Sequence, residues 1–301
     1  MIYCEFSLNI LVYKYLNGFQ SPHIQLRFSS MSKYKNDCYK QGKSVLQIAL
    51  TIKCSMQCVD CMEGCHPRLR ANSSLPTIYD YNIFKEDLQY LRQKIKLDVI
   101  DVFSGEIFEL HNVFDYLTVI RDCYPNSKIG VISNGVFLNE CKIEKLSHII
   151  DVLIITNYPG LSNKYTKLFE YCKKYDLYCT FHCDDHSKWY RDEFLKPLLY
   201  RKPKFDSISA YNNCGCNIPT LYASKLRLCC VCLSLSARNN LFNTQYPLSE
   251  LDIHKIQTVD DLKYLERLIR PDICSYCAIF EEAENVKWKR GNKIEFTDYV
   301  R

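Results

Sequence analysis

Short apolar runs alternate with amphipathic stretches between about residue 46 and residue 200 of this chain. The run "LQIALTI" (46–52) is typical of a buried strand. Four similar runs follow it, namely "DVIDVF" (98–103), "IGVI" (129–132), "DVLIIT" (151–156) and "LYCTFHC" (177–183). Each is short enough for a strand and too short for a buried helix.

The stretches between these runs have helical periodicity. The apolar positions of the first are Phe84, Leu88, Leu91 and Ile95. "VFDYLTVIRDC" (113–123) predicts a second helix, and "IEKLSHII" leads into the fourth strand. Ser162 is the predicted N-cap of a later helix. A last helix is expected near "YRDEFLKPLL" (190–199).

Repeated strand–helix units predict a parallel sheet, because parallel neighbours need long crossover connections. Five or six units fit a partial (β/α)6 TIM-like barrel better than a complete eightfold one. In such sheets ligands bind at the carboxyl ends of the strands. The loops that follow the strands are therefore the expected place for chemistry.

The pattern changes after about residue 205. "IPTLY" (218–222) and "KLRLC" (225–229) predict a β-hairpin, and "PDICSYC" comes later. We expect a barrel over residues 45–204 and a smaller, cysteine-rich, metal-organised domain over residues 205–301. Residues 1–44 are expected to be an extension without a functional role.

Composition narrows the class of protein. Apolar residues make up 47% of the 301, and 39 basic against 34 acidic residues give a charge of +5. So small an excess of positive charge does not indicate a polyanionic partner. Neither nucleic acid nor a membrane is therefore an expected partner. The first residues lack the features of a signal peptide. The eighteen cysteines therefore predict metal binding in a cytoplasmic protein rather than disulfides.

Four cysteines crowd the loop after the first predicted strand. Three of them, Cys54, Cys58 and Cys61, have the spacing Cys-x3-Cys-x2-Cys. A [4Fe–4S] cluster is normally held by four thiolates. Three would leave one iron open to a small molecule, which is the arrangement of catalytic metal sites. The alternative is a zinc knuckle with Cys65 or His66 as its fourth ligand.

The loop "CSMQCVDC" resembles the signature of the radical S-adenosylmethionine (SAM) superfamily, in which three such cysteines follow the first barrel strand. The resemblance extends through most of residues 46–200. "FSGE" after the second strand is similar to the Gly-Gly-Glu-Pro motif of that family, with its first glycine and proline replaced. The resemblance implies that Ser104, Gly105 and Glu106 receive the amino group of SAM.

Two further strand ends carry the same resemblance. "ISNG" places Ser133 and Asn134 where the family contacts the ribose of SAM, and "ITNYPGLS" places Asn157 at another cofactor contact. The residue before the third cysteine is often aromatic and packs beside adenine, whereas here it is Asp60. The resemblance implies reductive cleavage of SAM at the cluster to a 5′-deoxyadenosyl radical, which takes hydrogen from a substrate. It also implies an electron donor such as flavodoxin or ferredoxin.

A second cysteine set resembles the auxiliary-cluster domain called twitch, a shortened SPASM domain. By that resemblance a second [4Fe–4S] cluster takes four thiolates and accepts an electron from a substrate radical. The expected ligands are Cys216, Cys229, Cys274 and Cys277. Cys214 is an alternative to Cys216 as a cluster ligand. Cys230 and Cys232 are alternatives to Cys229. The alternative is a four-cysteine zinc site.

The sequence does not identify the substrate. The expected activity is oxidation or epimerisation of a small polar, sugar-like molecule, and modification of a ribosomal peptide is the alternative. A zinc-binding, non-catalytic module is the alternative of another class. Polar residues past the fifth strand include a candidate base for carbinol oxidation. They are His182, Asp184, Asp185, His186 and Arg191.

Overall fold

The computed structural model describes residues 43–181, 193–195, 199–214, 216–256, 269–278 and 285–300. The strands in this part of the chain are β1 (Val45–Ala49), β2 (Val99–Phe103), β3 (Lys128–Ser133), β4 (Val152–Ile155), β5 (Tyr178–Phe181), β6 (Glu193–Leu195), β7 (Thr220–Tyr222), β8 (Lys225–Arg227), β9 (Glu250–Asp252) and β10 (Asn285–Lys287). The α-helices are α1 (Pro67–Ala71), α2 (Tyr81–Leu91), α3 (Val113–Cys123), α4 (Glu140–Ser147), α5 (Ser162–Lys174), α6 (Ser207–Asn213) and α7 (Leu235–Phe242). None of these helices has the length and apolar character needed to cross a membrane.

Within the described residues, eight strands form one sheet in the order β5-β4-β3-β2-β1-β7-β8-β9. All neighbours from β5 to β1 are parallel. Every position of β1 and β2 is buried, as expected of strands covered on both faces. The predicted parallel α/β architecture is confirmed.

The helix boundaries follow local chemistry. Asp80 caps α2 because its carboxylate accepts hydrogen bonds from the backbone N–H groups of Asn82 and Ile83. The predicted N-cap at Ser162 is wrong: Leu161 occupies that position, and Ser162 is the first residue of α5. Leu161 makes no side-chain cap, so α5 begins without one.

The helix expected near residues 190–199 is also wrong where the structure describes it. Glu193–Leu195 form β6, which pairs antiparallel with β10. The partner lies some ninety residues further along the chain, and strand preference depends on such tertiary context. Local periodicity gave no sign of this pairing.

The predicted hairpin is confirmed as β7 and β8. Strand β7 pairs parallel with β1, with Gln47 opposite Thr220, so the hairpin extends the main sheet. The hairpin residues Leu221 and Leu226 belong to the same hydrophobic core as β1. The hairpin thus packs directly beside β1.

The hairpin turn has no glycine although it needs left-handed backbone. Ala223 and Ser224 have φ of 50° and 60°. Two buried side chains of the first half hold the turn in place. The Ser224 N–H donates to the Tyr79 hydroxyl at 2.9 Å, and the Ser224 hydroxyl donates to Asp87 at 2.7 Å. These contacts compensate for the strain of a left-handed conformation at residues with a Cβ.

Candidate metal and cofactor site

Cys54, Cys58 and Cys61 line one cavity of about 100 Å³ at the carboxyl ends of the parallel strands. The strand ends contribute the rest of its walls. The lining residues after β2 are Ser104 and Gly105, those at and after β3 are Ser133 and Asn134, and those after β4 are Thr156 and Tyr158. The prediction that the cysteine triad and the strand-end loops face each other agrees with this geometry.

The loop after β2 lies directly against the start of the cysteine loop. Gly105 has a φ of +58°, and a Cβ at this position would lie 2.2 Å from the carbonyl oxygen of Lys53. The next residue, Glu106, donates its backbone N–H to the same carbonyl at 2.8 Å. Only glycine allows this approach. The Ser-Gly-Glu sequence is therefore tied to the residue that precedes Cys54.

The Glu106 side chain is fully buried and does not line the cavity. Its carboxylate accepts hydrogen bonds from the Phe108 N–H at 3.1 Å, the Ser133 hydroxyl at 2.9 Å and the Asn134 N–H at 2.8 Å. Burial raises the pKa of Glu106 to about 7, against the lowering effect of these donors. Its contact with the SAM amino group stays a prediction, while its position joins the ends of β2 and β3.

The other predicted cofactor residues divide into two groups. Ser104, Gly105, Ser133 and Asn134 line the cavity, and the Asn134 amide nitrogen lies 3.9 Å from the Cys54 sulfur. Asp60 and Asn157 are not among the lining residues, and Asn157 is buried. At the β4 end its neighbours Thr156 and Tyr158 face the cavity instead.

The fourth cysteine of the loop has a bridging position. Cys65 is buried, its sulfur accepts from the Gly105 N–H at 3.2 Å, and its own N–H donates to the Cys61 sulfur at 3.4 Å. The ligand atoms of Cys61, Glu63 and Cys65 lie within 4.8 Å of one another. Cys65 therefore joins the cysteine loop to the Ser-Gly-Glu loop.

His66 does not fit the zinc alternative. Its Nε2 lies 2.8 Å from the Gly291 carbonyl oxygen, and its Nδ1 accepts from the Arg68 N–H at 3.2 Å. Both ring nitrogens are thus engaged by backbone groups. Burial lowers the pKa of the His66 imidazole, which keeps it neutral in this position.

The donor set of the triad fits a thiophilic metal centre. Burial raises the pKa of Cys58 to about 12 and also raises the pKa of Cys54. None of the cysteines in the described part of the chain forms a disulfide bond. Thiols of this kind bind soft metals as thiolates and release their protons on binding. Three such sulfurs on one cavity with adjacent free space suit a cluster that also accepts a small ligand.

A second cavity collects the later cysteines. All four predicted ligands line it, together with Cys214 and Cys232. Cys230 is not among its lining residues. The Cys229 and Cys232 sulfurs lie 3.9 Å apart, and burial raises the pKa of Cys274. The remaining walls are largely apolar, from side chains such as Leu228, Val231 and Ile273. A thiolate-rich site in apolar surroundings suits an iron–sulfur cluster or zinc.

Among known proteins, the chain is similar to solved structures but not to any sequence family. No protein-family model and no curated protein matches the chain. The crystal structure of BtrN in complex with AdoMet and 2-DOIA is similar over 80% of this chain and 96% of its own, with a TM-score of 0.50 and 17% identity. This likeness shows that the chain shares the fold of that structure. The partial barrel and hairpin predicted from the sequence are thereby confirmed as an architecture.

Two further solved structures are less similar to this chain. The open conformation of BtrN has a TM-score of 0.45 at 16% identity and covers 80% of this chain and 96% of its own. The structure of anSMEcpe with bound AdoMet has a TM-score of 0.37 at 15% identity and covers 46% of this chain and 43% of its own.

Sequence reasoning missed several residues beside the triad. Tyr158 and Trp288 both contact the Cys58 sulfur, at 3.8 and 3.1 Å. Tyr158 stands next to the predicted Asn157, whereas Trp288 is 230 residues from Cys58 and no motif marks it. The candidate base residues of the fifth strand end lie outside the described residues. Those residues are His182, Asp184, Asp185, His186 and Arg191.

Proposed function

We propose that this chain is a radical SAM enzyme that oxidises a small polar molecule, with an auxiliary iron–sulfur cluster in residues 205–301. The observation that carries the proposal is the convergence of Cys54, Cys58 and Cys61 with three strand-end loops on one cavity. In a parallel α/β sheet this edge is where ligands bind. The shared fold with a BtrN structure that contains AdoMet supports that assignment.

The residues of the cavity have separate roles in this proposal. Cys54, Cys58 and Cys61 would hold a [4Fe–4S] cluster by three thiolates. The backbone at Ser104 and Gly105 would hold the amino acid part of SAM, and Asn134 would orient it beside Cys54. When bound, the cluster would supply the electron that splits SAM and yields a 5′-deoxyadenosyl radical, which removes hydrogen from the substrate.

The chain itself supplies position and shielding. The Gly105 N–H fixes the Cys65 sulfur, which keeps the cysteine loop against the end of β2. The Asn134 side chain accepts from the Val136 N–H at 2.8 Å, so its amide nitrogen is directed towards Cys54. The triad thiols are half-buried, which limits access of water and oxygen to the reacting centre.

The second cysteine site would take the substrate electron. Cys216, Cys229, Cys274 and Cys277 are the proposed ligands of an auxiliary [4Fe–4S] cluster, since all four line the second cavity. A fully ligated cluster cannot bind substrate but can accept one electron from it. Oxidation of a carbinol would then need no external oxidant for its second electron.

Metal analysis tests this function against the zinc alternative. The protein is reconstituted anaerobically with iron and sulfide, desalted, and assayed for iron, sulfide and zinc. We expect about eight irons and eight sulfides per chain, which is two cubane clusters. Zinc without sulfide would instead identify a non-catalytic metal module.

A substrate panel tests the proposed substrate class. The similar BtrN structure is a complex with AdoMet and 2-DOIA, which favours a small molecule over a peptide. Sugars and aminocyclitols deuterated at each carbinol carbon are incubated with reduced protein and SAM. We expect one of them to increase 5′-deoxyadenosine formation and to transfer deuterium into it. Stimulation by Cys- or Ser-containing peptides alone would refute the small-molecule assignment.

A further inference from the structure

The last described residues of the chain run along the cysteine loop. We refer to residues 288–300 as the C-terminal strap. Its backbone pairs with the loop on both sides of Cys58: the Val59 N–H donates to the Lys289 carbonyl at 3.0 Å, and the Gly291 N–H donates to the Gln57 carbonyl at 3.3 Å. Cys58 and Arg290 form the antiparallel bridge between them. The strap therefore holds the central cysteine of the triad from outside the barrel.

Side chains from three places fix the strap. The His66 ring contacts the Gly291 carbonyl at 2.8 Å, and the Arg68 guanidinium donates to the Ile294 carbonyl at 3.0 Å. At the far end the Tyr299 hydroxyl donates to the Val59 carbonyl. These contacts are spread along the strap from Gly291 to Tyr299. The strap is thus a fixed part of the cysteine site.

The strap also reaches the second cysteine site. The Tyr299 carbonyl accepts from the Leu199 N–H at 3.0 Å, and Leu199 is bridged to Cys277. The buried Arg238 guanidinium lies 4.8 Å from the centroid of the Tyr299 ring. One short segment therefore connects the loop of Cys58 with the pair that contains Cys277.

Trp288 at the start of the strap points its indole N–H at the Cys58 sulfur, 3.1 Å away. An indole nitrogen can only donate, so the direction of this hydrogen bond is certain. The Tyr158 ring packs against the indole with centroids 5.2 Å apart, and the Tyr158 hydroxyl lies 3.8 Å from the same sulfur. Two aromatic side chains thus contact the Cys58 sulfur, and one of them, Trp288, donates a hydrogen bond to it.

We infer that Trp288 is a positioning residue that sets the reduction potential of the SAM-binding cluster through the sulfur of Cys58. This inference rests on the proposed function. In that function a flavodoxin- or ferredoxin-type donor transfers one electron to the cluster. The charge of the cluster becomes more negative by one unit, and no proton is transferred. A donor dipole directed at a cluster sulfur stabilises the more negative, reduced state. Trp288 therefore makes the cluster easier to reduce.

The potential of the reconstituted protein tests this inference. Reductive titrations monitored by EPR compare wild type with Trp288→Phe, which keeps an aromatic ring at this position and removes the N–H. We expect the variant to titrate at a more negative potential. Phe296→Leu is the matched control from the same strap, because the Phe296 ring packs on the Phe242 ring, with centroids 5.7 Å apart. It should titrate as wild type. An unchanged potential in Trp288→Phe with full iron content would overturn the inference.

A second measurement detects the contact directly in the wild-type protein. The chain has two tryptophans, Trp189 and Trp288. Wild-type protein labelled with 15N at the indole nitrogen should give a 15N coupling in the pulsed EPR spectrum of the reduced cluster. The coupling should persist in Trp189→Phe and disappear in Trp288→Phe. An uncoupled wild-type spectrum would overturn this inference alone, whereas failure to assemble any cluster would overturn the proposed function as well.

Discussion

The Glu106 carboxylate, which is fully buried, accepts a hydrogen bond from the backbone N–H of Asn134 at 2.8 Å. The same carboxylate accepts from the Ser133 hydroxyl, so it joins the end of β2 to the end of β3. Both strand ends carry residues that line the cavity. A buried acidic group therefore holds two walls of the site in register.

The raised pKa of Glu106 predicts a pH-dependent stability. The folded protein holds a proton on Glu106 up to about pH 7, whereas an unfolded chain loses it near 4.5. The folded state binds more protons between these values, so the contribution of this group to stability falls as pH rises through that window. Its full size is about 3 kcal/mol.

Glu106→Gln tests this, because glutamine is neutral at every pH. We measure the difference in melting temperature, wild type minus variant, as a function of pH. We expect this difference to decrease as the pH rises from 5 to 7.5. Glu144→Gln, on the exposed side of α4, is the control for removal of a surface carboxylate. A difference for Glu106→Gln that stays constant over this range would contradict the buried, proton-holding carboxylate.

Gly105→Ala should disrupt the approach of the Ser-Gly-Glu loop to the cysteine loop. A Cβ there would lie 2.2 Å from the Lys53 carbonyl, in addition to the strain of a φ of +58°. Gly160→Ala is a matched control, since Gly160 has a φ of +82° with no atom within 4 Å of a built Cβ. The control should cost about 1–2 kcal/mol. Urea unfolding should show a clearly larger loss for Gly105→Ala, and equal losses would argue against the close contact.

The hairpin turn predicts opposite effects at two adjacent residues. Ser224→Ala removes the hydroxyl that donates to the buried Asp87 and should cost about 1.5–3 kcal/mol, as for a hydrogen bond to a charged group. Ala223→Gly relieves a left-handed φ and should stabilise the fold by up to about 1 kcal/mol. Thermal unfolding of both variants decides this, and a destabilised Ala223→Gly would refute the strained turn.

The auxiliary site predicts which cysteines bind metal. Cys277→Ala should lose about half of the iron and sulfide and retain some SAM cleavage that is uncoupled from substrate. Cys230→Ala should retain both clusters, because Cys230 is not among the residues that line the second cavity. Comparison of Cys214→Ala with Cys216→Ala, and of Cys229→Ala with Cys232→Ala, assigns the remaining ligands. A full iron content in Cys277→Ala would remove it from the ligand set.

Much of the fold follows from the sequence because its strands are short, continuous apolar runs. The helix at 113–123 and the strands from β1 to β5 have nearly the bounds that periodicity predicts. The site was predictable as far as it consists of loops after these strands. Its cysteine spacing and its strand-end residues Ser104, Gly105 and Asn134 are local signals.

Features that depend on distant pairing were not predictable. Strand β6 forms because β10 pairs with it, and the C-terminal strap lies on the cysteine loop through backbone hydrogen bonds that carry no sequence signature. The turn at Ala223 lacks the expected glycine because Tyr79 and Asp87 hold it from another part of the chain. The contact between Trp288 and Cys58 was not predictable for the same reason, because it joins two distant parts of the chain.

Cleavage of SAM under strong reductant tests the central claim most directly. Anaerobically reconstituted wild type, Cys58→Ala and Cys141→Ala are reduced with dithionite, and 5′-deoxyadenosine and methionine are measured. Cys141 is exposed and serves as the matched control for loss of a thiol. We predict equal amounts of both products from wild type and Cys141→Ala, and none from Cys58→Ala. Undiminished 5′-deoxyadenosine from Cys58→Ala, or none from a brown, iron-loaded wild type, would contradict a SAM-cleaving cluster on this triad.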